Sequence, residues 1–186
     1  MDVLNEEVVN ISGSRSDLGS EVPLRFEEVY EQFAPQVHRF CLVLLRDPSA
    51  ADDVAAQALA RAFAAFERTQ PAAEHVRLWL LRIARNAAID YLRERSRVRR
   101  LLRSLALNQK PDADPETVAI THMEVVRLLA VLPQLRSRER ELIALRCGAQ
   151  LSYREISELT GLSENSATAA THRAMRRLKD RLEDQK

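Results

Sequence analysis

The chain has 186 residues, 30% charged and 46% hydrophobic with a formal net charge of +1, and this balance excludes a disordered chain. Four glycines are too few for most strand-and-turn architectures or for a glycine-rich nucleotide loop, and two distant cysteines exclude a disulfide scaffold. No apolar run approaches the roughly 20 residues of a membrane helix and no signal peptide is visible, so we expect a cytoplasmic protein without membrane insertion.

The N-terminal part of the chain divides into a leader and a first helix. Residues 1–21 are polar without a clear period, which predicts a flexible leader. From Phe26 to Leu44 apolar residues recur at steps of three and four, which predicts a helix. Pro35 lies inside this run and predicts either a kink or a split of the helix.

A second helix is predicted after the break at Asp47, Pro48 and Ser49. We predict Ser49 as its N-cap, because carboxylates follow it in the first turns and favour the positive end of a helix. This helix is rich in alanine and is predicted to end before the polar stretch at residues 67–74.

A long basic helix follows, and it carries the strongest charge signal of the chain. Residues 77–103 hold nine arginines and two acids, whereas residues 1–31 hold two arginines and eight acids. Apolar residues four apart, beginning at Trp79, predict the face that packs in the core. Arginine makes forked contacts to phosphate, so the adjacent face predicts a nucleic-acid surface; a solvated charged helix is the alternative. The candidate contact residues are Arg82, Arg85, Asn86 and Arg93.

The best domain boundary lies after this helix. Residues 108–117 are polar and contain two prolines, a composition typical of a linker. We therefore predict a first domain over 22–103, a linker over 104–121 and a second domain over 122–186. The predicted fold is all-α, with two small helical domains joined by a flexible linker.

The second domain is predicted to contain a helix-turn-helix. Ser152 with Glu155 forms a capping box that opens a short helix, which ends at Gly161. Ser163 is predicted to cap a longer basic helix that runs to about Leu182.

The last helix has two faces that the spacing separates. Six residues are predicted to meet the core: Ala167, Thr171, Ala174, Met175, Leu178 and Leu182. The opposite face carries small polar residues followed by arginines, a pattern that suits the major groove of DNA. An ordinary amphipathic helix with a solvated basic face is the alternative. The exposed residues are Asn165, Ser166, Thr168, Ala169, His172, Arg173 and Arg176.

Neither a metal site nor a catalytic site is predicted. His38 and Cys41 lie one helical turn apart, as half of a zinc site would, but no second pair of ligands is near them in the sequence. No serine, cysteine or paired-carboxylate arrangement suited to catalysis is visible, so we expect neither an enzyme nor a cofactor.

Several segments of the sequence resemble those of a known protein family. The segment Arg77 to Arg93, preceded by Asp52-Asp53-Val54, resembles the second conserved region of extracytoplasmic-function sigma factors, which belong to the main bacterial sigma family. Fragments of the second half resemble the fourth region of the same family. They are Leu132-Pro133, Arg140-Glu141, Leu151 to Ile156, Gly161-Leu162-Ser163 and His172-Arg173-Ala174.

The resemblance implies an alternative sigma factor for transcription initiation, with bacterial RNA polymerase core enzyme and promoter DNA as partners. Its first domain would dock the helix Asp53–Phe66 on the polymerase, with Asp53, Gln57 and Arg61 as contacts. The basic helix would hold the minus-ten element and help open the duplex, and the helix-turn-helix would read the minus-thirty-five element. An anti-sigma factor that holds the protein inactive is a further partner that the family implies.

The chain departs from the family pattern in three places. Ala56-Gln57 stands where the family usually has Gln-Glu, and residues 166–170 lack the customary Lys and Arg of the recognition helix. The leader is also longer than the pattern requires.

Two rival hypotheses stand beside the sigma factor. The first rival is a helix-turn-helix transcription regulator with a partner-sensing helical domain. The second is a helical adaptor with no role on DNA.

Overall fold

The structure, a computed structural model, describes residues 24–104 and 128–184, and all regular elements within these ranges are helical. The predicted leader, and the predicted linker beyond Ser104, lie outside the described residues. The helices of the first domain are α1 Phe26–Leu45, α2 Pro48–Thr69 and α3 Ala73–Ser104. Residues 128–131 are helical and lead into a 3-10 turn, Leu132–Gln134. The following helices are α4 Ser137–Ile143, extended by a π turn at Ala144–Gly148, then α5 Tyr153–Thr160 and α6 Glu164–Glu183.

The boundary between α1 and α2 differs from the prediction. Asp47, not Ser49, is the N-cap: its Oδ1 accepts a hydrogen bond from the Ala50 amide at 3.2 Å, and Pro48 occupies the first helical position. Proline suits that position because its fixed φ is already helical and its missing N–H needs no partner there. Pro35 does not split α1, which continues as one helix through it.

The first domain consists of three helices, and alanine side chains determine how closely α2 packs against the other two. The inward face of α2 buries Ala51, Ala55, Ala58 and Ala62. Such small side chains let a helix approach its neighbours closely. The large side chains of the core come from α1 and α3 and include Phe40, Leu44, Leu80 and Leu81. Trp79 packs on this core as predicted, with its ring 6.1 Å from that of Phe66.

The second domain confirms the predicted helix-turn-helix. Ser152 and Glu155 form the capping box of α5, and Ser163 caps α6 by accepting a hydrogen bond from the Ser166 amide at 3.3 Å. All six residues predicted for the inner face of α6 are buried or half-buried. The turn between the helices depends on Gly161, whose φ of 71° lies in the left-handed region.

Replacing Gly161 by alanine is expected to lower the free energy of unfolding by about 1–2 kcal/mol. A Cβ at this position meets nothing within 4 Å, so the loss comes from backbone conformation alone. Urea unfolding of both proteins would measure it. Gly161→Asn is the matched control and should lose less, because asparagine tolerates the left-handed region. Equal stability of the glycine and alanine proteins would contradict this account of the turn.

Candidate nucleic-acid interface

The exposed side of α3 presents three of the four residues predicted there. Arg82, Asn86 and Arg93 are exposed and lie on one face of the helix, because their spacing of four and seven residues is close to whole turns. Arg93 contacts Asp90 at 3.3 Å but remains 76% exposed, so this pair holds it weakly. The face therefore offers two guanidinium groups and an amide to a partner.

Arg85 is placed differently from the other three. Its Nη2 lies 2.6 Å from Glu141 Oε1 on α4, and the two side chains are only 17% and 10% exposed. Arg85 is thus committed to a carboxylate of the second domain, and in this arrangement it does not join the exposed face. A contact of Arg85 with DNA stays a prediction that requires this pair to separate.

Beyond Arg93 the basic surface continues along α3, with exposed arginines at positions 95, 97, 99 and 100. Arg95 reaches Asp47 at 3.4 Å and Arg97 reaches Glu94 at 2.9 Å. Burial, followed by the charges of Arg95 and Arg99, lowers the pKa of Arg46 at the end of α1. Repulsion among these cations indicates a surface of positive potential, which attracts polyanions.

The outer face of α6 exposes all but one of the residues predicted there. Six of the seven predicted residues are exposed: Asn165, Ser166, Ala169, His172, Arg173 and Arg176. Thr168 is half-buried, and its hydroxyl donates to the Glu164 carbonyl at 2.9 Å. A hydroxyl bonded to its own helix in this way has less capacity to read a base edge.

Two residues beside α6 were missed by the sequence analysis. The Tyr153 hydroxyl lies 3.2 Å from His172 Nε2, and the Arg146 guanidinium lies 5.1 Å from the centre of the Tyr153 ring. Arg146 also donates to the Leu151 carbonyl at 2.8 Å, which fixes the arginine in place. Arg146 and Tyr153 belong to elements that precede α6, so the helical periodicity of α6 could not show that they lie near His172.

The outer face of α2 carries the three residues predicted to contact polymerase. Asp53, Gln57 and Arg61 are all exposed, at successive steps of four residues. The alanines beside them at positions 56, 60 and 64 are exposed too, so much of this face consists of small side chains. A smooth helical face of this kind suits the packing of a partner helix.

His38 and Cys41 lie in different environments. His38 Nε2 is 2.7 Å from Asp52 Oδ1 at the surface, whereas Cys41 is fully buried, and burial raises the pKa of its thiol to about 12. Within residues 24–104 and 128–184, no three histidine, cysteine or acidic side chains are grouped as metal ligands. None of the helices in these ranges combines the length and apolar character needed to span a membrane.

Two family models match the chain, one in each domain. Sigma-70 region 2 matches residues 29–98, which cover most of α1 to α3. The second model, Sigma-70 region 4, matches residues 126–178 and includes the helix-turn-helix. The order of the two regions is the order predicted from the sequence fragments.

Curated relatives match across most of the chain. ECF RNA polymerase sigma factor SigD of Mycobacterium tuberculosis (strain ATCC 25618 / H37Rv) is 31% identical over 160 residues, which cover 83% of this chain and 76% of SigD. ECF RNA polymerase sigma factor SigM of Bacillus subtilis (strain 168) is 26% identical, with coverage of 84% and 94%.

A solved structure shares the fold. The sigma factor RpoE of Bartonella quintana, in complex with the anti-sigma factor NepR, superposes with a TM-score of 0.66 at 21% identity. The match covers 85% of this chain and 96% of RpoE. Together these findings disfavour the regulator with a partner-sensing domain, because the N-terminal helices are accounted for as sigma region 2. The chain belongs to the extracytoplasmic-function sigma factors, the alternative sigma subunits that bind RNA polymerase core enzyme and promoter DNA.

Proposed function

We propose that three separate surfaces of the chain bind core enzyme and the two promoter elements. The outer face of α2, with Asp53, Gln57 and Arg61, binds core enzyme. The exposed face of α3 holds the minus-ten element, and the outer face of α6 reads the minus-thirty-five element. The observation that carries this division is the presence of two exposed arginine-bearing faces, on α3 and α6, in separate domains of one chain.

The α3 surface serves promoter opening in this proposal. Arg82 and Arg93 hold the backbone phosphates, and Asn86, with a donor and an acceptor, contacts a base or sugar. Extruding a base from the stack costs a few kcal/mol, which contacts to the extruded base and to the backbone offset. The continuing run of exposed arginines on α3 adds electrostatic attraction that weakens with salt.

Three further parts of the proposal rest on the family. The protein acts by binding, without a catalytic activity of its own, and works in the cytoplasm together with RNA polymerase. An anti-sigma protein is a candidate partner, because the solved RpoE structure contains an anti-sigma factor. The α2 face is the surface where such an inhibitor would compete with polymerase.

Transcription from purified components tests the proposed function. The chain is mixed with core RNA polymerase and a pool of promoter fragments, and the 5′ ends of the transcripts are sequenced. We expect specific starts that core enzyme alone does not give. Binding to DNA without core, and no new starts, would instead indicate a regulator. Binding to neither core nor DNA would indicate an adaptor.

Arg173→Ala and Arg176→Ala are each expected to weaken binding of the holoenzyme to the upstream element. The expected loss is about 1–3 kcal/mol where the arginine contacts a base. Arg177→Ala is the matched control, because Arg177 is already paired with Glu139 on α4. Fluorescence anisotropy on a set of upstream sequences measures the losses. A uniform loss across sequences would identify phosphate contacts, whereas no loss in either variant would exclude this face of α6 from DNA binding.

A further inference from the structure

Two arginines in the basic part of α3 lie away from the proposed minus-ten surface. Arg95 and Arg99 are two and six residues beyond Arg93, which is far from a whole number of helical turns, so they lie on another side of the helix. That side faces the start of α2, because Arg95 Nη1 lies 3.4 Å from Asp47 Oδ2. The two arginines therefore belong to the corner where α1 ends and α2 begins.

A third arginine completes this corner. Arg46 is the C-cap of α1, and the next residue, Asp47, is the N-cap of α2. The charges of Arg95 and Arg99 add to the effect of burial in lowering the pKa of Arg46, which agrees with three guanidinium groups close to one another. The positive end of the α2 dipole lies at the same corner. The corner therefore concentrates positive charge from α1, α2 and α3.

This positive charge is not balanced within the part of the chain that the structure describes. There, Asp47 is the one carboxylate paired with any of the three arginines, and its other oxygen already caps α2. Arg46 Nε is buried and has no hydrogen-bond partner among the described residues. Buried donors are nearly always paired, and neighbouring like charges destabilise one another. The corner therefore lacks an acceptor that carries negative charge.

We propose that Arg46, Arg95 and Arg99 form a binding site for a terminal phosphate group, separate from the three surfaces of the proposed function. Such a group carries about −1.5 to −2 charges at pH 7 and three acceptor oxygens. It matches the excess of cations over Asp47, whereas a carboxylate brings one charge and two oxygens. Arginine donates to phosphate oxygens through forked pairs of N–H groups, so guanidinium groups of α1 and α3 hold the ligand from two sides. The group belongs either to a small phosphate compound or to the 5′ end of a nucleic-acid strand.

Calorimetric titration of the full chain with sodium pyrophosphate, at constant ionic strength, tests the site. Arg46→Gln combined with Arg99→Gln removes two of the three guanidinium groups. We expect this variant to bind pyrophosphate at least about tenfold more weakly, because one lost hydrogen bond to a charged group corresponds to about this factor. Arg97→Gln combined with Arg100→Gln is the matched control. It removes the same charge four and seven residues beyond Arg93, on the opposite side of α3, and should bind pyrophosphate as the parent does.

Thermal unfolding separates loss of the site from misfolding. Pyrophosphate should raise the unfolding temperature of the parent, because a ligand that binds the folded chain alone stabilises it. Without ligand, Arg46→Gln/Arg99→Gln should unfold at the parent temperature or above it, since the change removes repulsion between cations. Succinate, a dianion without phosphate oxygens, should bind the parent at least about tenfold more weakly than pyrophosphate. No pyrophosphate binding by the parent, equal binding by the variant, or equal affinity for succinate would overturn the site.

Labelled oligonucleotides identify the source of the phosphate. Fluorescence anisotropy compares one strand that carries a 5′-phosphate with the same strand that carries a 5′-hydroxyl. Tighter binding of the 5′-phosphate strand by the parent, and not by Arg46→Gln/Arg99→Gln, would assign the site to strand ends. Equal binding of both strands, with pyrophosphate still bound, would assign it to a small phosphate compound. The transcript starts obtained with core enzyme report separately on the proposed function, because they do not depend on pyrophosphate binding.

Discussion

Replacing Arg82 and Arg93 together by alanine is expected to lower promoter opening by about a hundredfold while core binding is retained. Each exposed guanidinium that contacts a phosphate contributes a hydrogen bond to a charged group, worth about 1.5–3 kcal/mol. Two such losses correspond to about a hundredfold or more in the equilibrium constant. A plot of the logarithm of the opening equilibrium constant against the logarithm of the salt concentration should also have a slope that is shallower by about two. Permanganate reactivity of thymines in the opened region, across a series of salt concentrations, measures both effects.

The matched control for this variant is Lys179→Ala combined with Arg181→Ala. It removes the same charge from the last turns of α6, where both side chains are exposed. Those residues lie outside the predicted surfaces, so opening should stay near the parent value. Opening that is unchanged in Arg82→Ala/Arg93→Ala would remove the minus-ten assignment from this face of α3.

Exchanging the charges of α2, with Asp53→Arg and Arg61→Glu in one chain, is expected to abolish binding to core enzyme. The exchange leaves the net charge unchanged. It places like charges opposite each other wherever a charged group of polymerase pairs with Asp53 or Arg61. Such repulsion at an interface costs several kcal/mol, so we expect the affinity for core to fall at least about a hundredfold. A fluorescently labelled chain titrated with core enzyme measures the affinity directly.

The same exchange at a second helix is the control for folding and net charge. Lys179→Glu with Glu183→Lys reverses an exposed pair 3.8 Å apart on α6, four residues along the helix. This variant should bind core as the parent does, and both exchanged chains should unfold at similar temperatures. Retained core binding after the α2 exchange would show that polymerase docks on a different surface.

Local patterns predicted the helices and their faces well. The six inner residues of α6, the capping box at Ser152 and the turn at Gly161 all follow from spacing and from backbone preferences near in sequence. Such features are decided within one or two helical turns, which is the range over which periodicity carries information. The N-cap of α2 was wrong by two residues because Pro48 fits the first helical position better than it fits a place before the cap.

The partners of buried polar residues could not be predicted in this way. Arg85 and Glu141 are 56 positions apart, and Arg77 and Glu155 are 78 apart, so neither pair leaves a sequence pattern. By spacing, Arg85 lies three residues from Arg82 and therefore at the edge of the exposed face of α3. The sequence does not show that it pairs with Glu141, because that pair exists only through the placement of the second domain against α1 and α3.

Footprinting of the complete complex tests the central claim, that two helical domains of one chain hold two separate stretches of a promoter on core enzyme. The chain, core RNA polymerase and one promoter found by transcript mapping are combined, and protection from hydroxyl radicals is read along both strands. We expect two protected stretches: the upstream one lost in Arg173→Ala/Arg176→Ala and the downstream one weakened in Arg82→Ala/Arg93→Ala. A chain that does not associate with core, or a single protected stretch that persists without core, would contradict the account.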